Sequence, residues 1–384
     1  MDVALVGCGY VADFYMRTFP NHPDLRVAGV WDTNAARLSR FAAHHSLRAY
    51  TSYEELLADS AVRIVVNLTN PRSHAEVSRQ ALQAGKHVYS EKPLATGWDD
   101  ACDLVRLAEE HELQIASAPC SLLSETAQTL GRAIRAGLIG KVRAAHAELH
   151  DGMIHRSDYR DWKSDSEAPW PAKDEFEVGC TFEHAGYYLT WLCGFFGPAK
   201  TITSFARCVI EDKRTDEPLD PPDTPDYSVG SIEFADRVIA RISCSIVAPH
   251  DHSLTIVGDE GVLTIRECWD YGAPIAWQRR TKHSHRAEKY PRLAKLLGLG
   301  PRNLRLVRPA RFQFGGRGSN RMDFARGVAD LAEAIQSGRE SRLSARFSLH
   351  INELTLALQY PERMGSPRLL ATTFDPVPAM PWAV

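Results

Sequence analysis

No stretch of the 384-residue chain is an uninterrupted apolar run of the roughly 20 residues that a membrane-spanning helix needs. It also lacks a charge excess: 45 Lys plus Arg stand against 48 Asp plus Glu, a formal charge of −3. Neither nucleic acid nor a membrane surface is therefore an expected partner. The eight cysteines (Cys8, Cys102, Cys120, Cys180, Cys193, Cys208, Cys244 and Cys268) form no CxxC pair, and no histidine cluster has zinc spacing. They read as small buried hydrophobes in a reducing compartment, with no disulfide and no structural metal expected. Internal repeats and low-complexity tracts are missing too. A first strand that begins at residue 3 leaves no room for a signal peptide, so the expected location is cytoplasmic. What remains is ordinary globular composition, 44% hydrophobic and 24% charged, in a chain long enough for two domains.

The most informative stretch is the first. Val3 to Val6 is a short apolar run, Gly7 to Ala12 is a glycine-punctuated turn, and Val27 to Trp31 is a second apolar run closed by Asp32. In a phosphate-cradling turn the first glycine (Gly7) bends sharply and the second (Gly9) lets the backbone approach a pyrophosphate. The third small residue (Ala12) lets helix and strand pack closely. N–H groups of the helix opening near Tyr10 and Val11 would face the anion. Asp32, about twenty residues on, is placed to accept from an adenosine ribose, which favours NAD over NADP; nearby Arg37 weakens that preference because it could reach a 2′-phosphate.

Further along, helices are expected at Asn34–His45, Tyr53–Ala58, His74–Ala84 and Asp99–His111, alternating with strands at Val62–Leu68, His87–Ser90 and Gln114–Ala118. This rhythm implies a doubly wound parallel sheet, a Rossmann domain over residues 1–120 whose ligands collect at the carboxyl ends of its strands. Residues 121–384 read as a second, α+β domain for substrate binding and oligomerisation. Its helices are expected at Ser124–Ala136, Glu183–Cys193, Asp323–Gln336 and Ser348–Leu358. They accompany an open, largely antiparallel sheet from Val142–His150, Lys200–Val209, Tyr227–Phe234, Arg237–Ile246, Ser253–Gly258 and Gly261–Arg266. One sheet face is left for association, so a homodimer or homotetramer is expected. The basic stretch 279–311 reads either as a solvated insertion or as a patch for a phosphorylated or nucleotide-linked substrate.

A dinucleotide turn raises the question of which group handles the proton that accompanies hydride transfer. Lys92 stands at the carboxyl end of a parallel strand beside Pro93, and near a cationic nicotinamide its ammonium would have a lowered pKa. Its bland reading is an exposed lysine paired with Glu91. Asp174 and Glu175, read as a loop, are possible carboxylate donors, and Tyr187 and Tyr188 possible hydroxyl donors, although aromatic residues on a helix are commonly core.

The combination of the Gly7–Ala12 turn, Asn70-Pro71 to His74, Glu91-Lys92-Pro93, the helix around His184 and the antiparallel second half resembles the Gfo/Idh/MocA family of glucose-fructose oxidoreductase and inositol dehydrogenase. The resemblance implies that Lys92 is catalytic before a commonly cis proline, and that Thr69, Asn70, Pro71 and His74 line the adenosine and ribose side. It also implies a histidine acid/base at His184 with an acid four residues earlier, where this chain has Cys180. A thiol orients an imidazole poorly; Glu183 would point elsewhere on the helix, so Asp174 or Glu175 is the expected substitute. The implied activity is NAD-dependent hydride transfer to or from a hydroxyl or carbonyl of a sugar, sugar derivative or cyclitol. Alternatives are a redox-neutral NAD-using glycosidase or epimerase-like enzyme, a reductase of a non-sugar intermediate, and a non-catalytic NAD/sugar-binding module.

Overall fold

The computed structural model describes residues 1–282, 284, 289, 290, 292, 300–310 and 321–384. Its first sheet has five parallel strands in the order β2-β1-β3-β4-β5: β1 (Asp2–Val6), β2 (Arg26–Trp31), β3 (Ile64–Asn67), β4 (His87–Ser90) and β5 (Ile115–Ser117). All four residues of β3 are buried, as its apolar run Ile64-Val65-Val66 demands of a strand covered by helices on both faces, and the closing Asn67 donates to the His74 carbonyl and Ser78 Oγ. Local signals set the helix ends. Asn34 caps α2 (Ala35–His45) by accepting from the Arg37 N–H, and Ser52 caps α3 (Tyr53–Ala58) through the Glu55 N–H. Because every strand runs the same way, the turns after β1, β3 and β4 meet at one edge, which is where the site forms.

The second sheet is built from β6 (Val142–His150), β7 (Thr201–Arg207), β8 (Tyr227–Glu233), β9 (Ile239–Ser245), β10 (Leu254–Gly258), β11 (Gly261–Ile265), β12 (Ile275–Arg279), β13 (Arg302–Leu304) and β14 (Arg368–Leu369), in the order β13-β12-β11-β10-β6-β9-β8-β7-β14. Every neighbouring pair is antiparallel except β6 with β9 (Ile239–Ser245). That exception follows from chain length: nearly ninety residues separate the two strands, ample for the crossover a parallel pair requires. Within the crossover lie α7 (Ala172–Val178) and α8 (Cys180–Phe196). Asp174 and Glu175 thus belong to a helix, not the loop their sequence suggested. Gly179 separates the two helices at φ 94°, and a Cβ there would lie 2.5 Å from Gln359 Nε2, so only glycine fits the kink.

Helix α8 and a late helix, Ala345–Gln359, cover one face of this sheet. Phe205 and Ile239, each about half exposed, stand on strands of the same sheet. The basic stretch is not one loop. Arg279 ends a strand (Ile275–Arg279), Arg302 begins another (Arg302–Leu304), and the two strands pair. Arg308 binds Glu125 at 2.9 Å and lies over the Trp382 ring at 3.7 Å, a structural tie. Arg286, Lys295 and Arg311 lie outside the described residues.

Candidate active site

The turns at the edge of the first sheet face α7, α8 and the 151–171 segment across a cavity of about 560 Å³. On the first-domain side it is lined by Gly9, Tyr10, Val11, Arg37, Thr69, Asn70, Pro71, His74, Glu91 and Lys92, and on the other by Asp151, Asp174, Glu175, Glu183, His184, Tyr187, His250 and Trp269, among others. Several side chains tie the two walls together. Asn70 Nδ2 donates to Asp174 Oδ2 (2.6 Å), and Asp13 accepts from both the N–H (3.1 Å) and hydroxyl (2.8 Å) of Ser166.

Residues of the opening turn have a shape suited to a dinucleotide. Gly7 has φ 98°, and a Cβ there would stand 2.6 Å from the Leu68 carbonyl oxygen. At Gly9 a Cβ would meet nothing within 4 Å, so the backbone faces open space, and helix α1 (Tyr10–Thr18) begins there without a side-chain cap. Ala12 is fully buried beneath the turn. Asp32 is also buried, and its carboxylate accepts from the Cys8 N–H (2.8 Å), the Asn34 N–H (2.7 Å) and both ends of the Arg37 guanidinium (2.9 and 3.1 Å). Arg37, not Asp32, reaches the cavity wall. The ring of His74 is buried between the carbonyls of Pro93 (2.7 Å) and Thr69 (2.9 Å), pinning together the turns after β3 and β4.

Lys92 sits at the centre. The Lys92–Pro93 peptide is cis, and the ammonium donates to Glu183, not Glu91. The Glu91 carboxylate is engaged by Tyr15 Oη (2.7 Å) and by the Lys92 N–H (3.0 Å). Burial alone would lower the Lys92 pKa, but Glu183, followed by Glu175, Tyr187 and Glu91, outweighs it and holds the ammonium well above its ordinary value. The carboxylate chiefly responsible is Glu183, which the sequence suggested would face another side of its helix. Glu183 is buried on α8 and aims at Lys92. Glu175 lies against Glu183, and burial, reinforced by that neighbour's charge, pushes its carboxyl well above the usual range, so this pair holds a proton.

His184 lies in the same cavity. Its acid partner is neither Asp174 nor Glu175 but Asp151, which the sequence reading missed: Nδ1 stands 2.9 Å from Asp151 Oδ2, somewhat off the ideal hydrogen-bond line. Asp151 directly follows β6 and so stands at a strand end, the one sequence signal that could have found it. Burial raises the Asp151 carboxyl pKa, but His184 and His252 overcome this and keep it ionised. His252 donates to Asp151 Oδ1 (2.8 Å) from Nε2 and meets Glu267 (3.0 Å) at Nδ1. Burial lowers the His252 pKa, yet those two acids raise it to about 9.

Two expected contributors fall outside the cavity. Cys180 is buried at the start of α8, its carbonyl accepting from the Cys244 thiol (3.2 Å). Tyr188 is core, donating its hydroxyl to the His252 carbonyl. Tyr187 does line the cavity, packing edge-on to Trp269 at 5.6 Å, and burial keeps its phenol protonated. Among the described members of the basic stretch, none lines the cavity.

Comparison with known proteins fits this architecture. Residues 1–118 match the oxidoreductase family model described as an NAD-binding Rossmann fold, and residues 127–264 match the GFO/IDH/MocA C-terminal domain. An uncharacterised oxidoreductase of Synechocystis is 26% identical over 276 residues, covering 69% of this chain and 71% of that one. The WlbA dehydrogenase from Bordetella pertussis, solved with NADH and UDP-GlcNAcA, superposes with a TM-score of 0.71 at 19% identity, covering 98% of both chains. A 3-ketoreductase from Actinomadura kijaniata, solved with NADP, gives 0.69 at 19% identity, covering 96% of this chain and 98% of that one. With both of its domains matched, the chain belongs to the GFO/IDH/MocA oxidoreductases, NAD(P)-dependent dehydrogenases and reductases acting on CH–OH or C=O groups.

Proposed function

We propose that the protein transfers hydride between NAD and a hydroxyl or carbonyl carbon of a sugar, sugar derivative or cyclitol. The observation that carries this reading is the convergence of Lys92 and His184, each with its own buried carboxylate partner, in one cavity beside the glycine turn. NAD, when bound, supplies the hydride acceptor. Gly7, Gly9, Tyr10, Val11, Thr69, Asn70, Pro71 and His74 would hold it, with the Asp32–Arg37 pair at the adenosine ribose. Asp32 favours the 2′-hydroxyl, whereas Arg37, the member of the pair that lines the cavity, is placed to meet a 2′-phosphate, and the test below compares both cofactors.

In the oxidation direction Lys92 donates a hydrogen bond to the substrate hydroxyl oxygen, stabilising it as its proton departs. His184 takes that proton at Nε2, with Asp151 facing the opposite ring nitrogen and compensating the imidazolium that forms. In reduction the same groups work in reverse. Glu183 keeps Lys92 charged and fixed, and Trp269, 5.6 Å from the His184 ring, walls the reacting region. Tyr187 and the Glu175–Glu183 pair offer further hydrogen bonds to a polyhydroxylated ligand.

The test is reduction of NAD⁺ and NADP⁺, followed at 340 nm, over a panel of aldoses, sugar acids, amino sugars, nucleotide sugars and cyclitols. Lys92→Ala should lower kcat by about 10²- to 10⁴-fold on the best substrate while NADH affinity by fluorescence titration stays within about twofold. A variant that keeps wild-type turnover would overturn the assignment of Lys92.

A further inference from the structure

Beside His184 lies a second cluster, which shares Asp151 with the proposed proton-handling pair and adds two histidines that hydride transfer does not use. Asp151, His250 and His252 each place one donor atom so that all three lie within 4.8 Å of one another, at the cavity wall that Asp151 and His250 share. We infer that Asp151, His250 and His252 form a binding site for one divalent transition-metal ion, of the two-histidine, one-carboxylate type.

Four features of the arrangement support a metal over a plain ion-pair network. The two imidazoles come from a His-x-His pair just ahead of a strand (Leu254–Gly258), and their ring centroids are 4.2 Å apart, an approach that two cationic rings would oppose. His252 Nδ1 faces Glu267 Oε1 at 3.0 Å, which directs Nε2 towards Asp151, 2.8 Å away. A carboxylate holding the far nitrogen of a ligating histidine is a recurrent outer-sphere device that fixes tautomer and ring direction. The His252 side chain is fully buried, with the Trp269 ring 4.3 Å away supplying an apolar wall. Finally, His250 is half exposed and opens to the cavity, giving an ion a route in.

An ion about 2.0–2.2 Å from each nitrogen or oxygen ligand places neighbouring donors roughly 3–3.5 Å apart; His252 Nε2 and Asp151 Oδ1 stand 2.8 Å apart, and the His250 donor lies within 4.8 Å of both. It would take the place of the proton that His252 Nε2 shares with Asp151. Imidazole and carboxylate ligands suit Zn, Fe(II), Co, Ni or Mn over a thiophilic ion, and three protein ligands leave coordination positions open towards the cavity. Asp151 joins this cluster to His184, so metal occupancy would set the charge that the imidazole faces.

The site shares Asp151 with the proposed dehydrogenase machinery but is tested without a substrate. The purified full-length protein is stripped with a chelator, dialysed and titrated with Co²⁺, followed by its visible absorption, and with Zn²⁺ by calorimetry. One ion per chain is expected at micromolar or tighter affinity. His250→Ala, at an exposed position, and His252→Gln should each weaken binding at least 100-fold, and Glu267→Gln about 10- to 100-fold. Far-UV circular dichroism and the thermal unfolding midpoint, measured on the same samples without ion, should be unchanged, which shows that the variants are folded. Absence of saturable binding at 100-fold excess ion (about 1 mM Co²⁺), or stoichiometric binding that survives both histidine variants, overturns the proposal; the second result would place the ion elsewhere, for example at Asp13, His44 and His45. Loss of turnover in Lys92→Ala bears only on the dehydrogenase reading, so the two can fail separately.

Discussion

Glu183 is the residue on which the chemistry of Lys92 turns. Two charges removed from water together depend on each other, and removing one partner typically costs about 3–5 kcal/mol. Glu183→Gln should therefore let burial dominate at Lys92 and bring its pKa down, partly restrained by Glu175, which then ionises more readily. The basic limb set by deprotonation of Lys92, which in the wild type lies above the ordinary lysine range, should therefore move down towards that range in the kcat/KM profile of the variant. An unshifted limb would show that Lys92 does not titrate in the reaction. This residue also marks where sequence reading stopped. Lys92 and His184 were legible because each sits in a local pattern, Glu91-Lys92-Pro93 and the aromatic helix. Their partners were not, because Glu183 and Asp151 reach them across 91 and 33 residues of chain, and helical spacing from His184 pointed only to Cys180.

At the scale of elements, the late helix Ala345–Gln359 carries a pH-sensitive tie. His350 Nε2 accepts the Ala199 N–H (3.0 Å), and Nδ1 meets Thr372 Oγ1 (2.8 Å), so an added proton would break the first bond. Burial lowers the pKa of this imidazole to about 4, against some help from Glu353. A histidine lowered on folding gives stability that is complete above its unfolded pKa near 6.5 and lost as pH falls towards 4. Urea unfolding should show this group costing about 2 kcal/mol between pH 7 and pH 5. His350→Gln, whose side-chain oxygen can still accept the N–H, should flatten that dependence; an equal slope in both proteins would assign it to other groups. Elements themselves were well marked in sequence, since caps such as Asn34 and Ser52 and the apolar run of β3 are local. The short strands Ile275–Arg279 and Arg302–Leu304 were not, because three to five residues amid basic charge carry too little alternation to be told from a loop.

For the whole molecule, the open sheet predicts association. Phe205 and Ile239 are large apolar side chains left about half exposed on neighbouring parts of one sheet. Phe205→Glu with Ile239→Glu should convert a homodimer or homotetramer to a smaller species in light scattering with little change in circular dichroism; an unchanged mass would move the interface elsewhere. Within one chain, the two halves already share a continuous core that runs from Val3 and Leu5 to Tyr188 and Leu354. The helix Ala345–Gln359 completes the first half from afar: Ser348 Oγ accepts the buried Ser117 N–H (3.1 Å) and Asn352 Oδ1 the buried Ala95 N–H (3.2 Å). On the ribosome the Rossmann half emerges hundreds of residues before these acceptors do. Its dinucleotide turn can form early, but two of its interior amides wait without partners until the end of synthesis. Competence to hold cofactor firmly should therefore arrive late, as a property of the finished chain, and not of the domain that contains the turn.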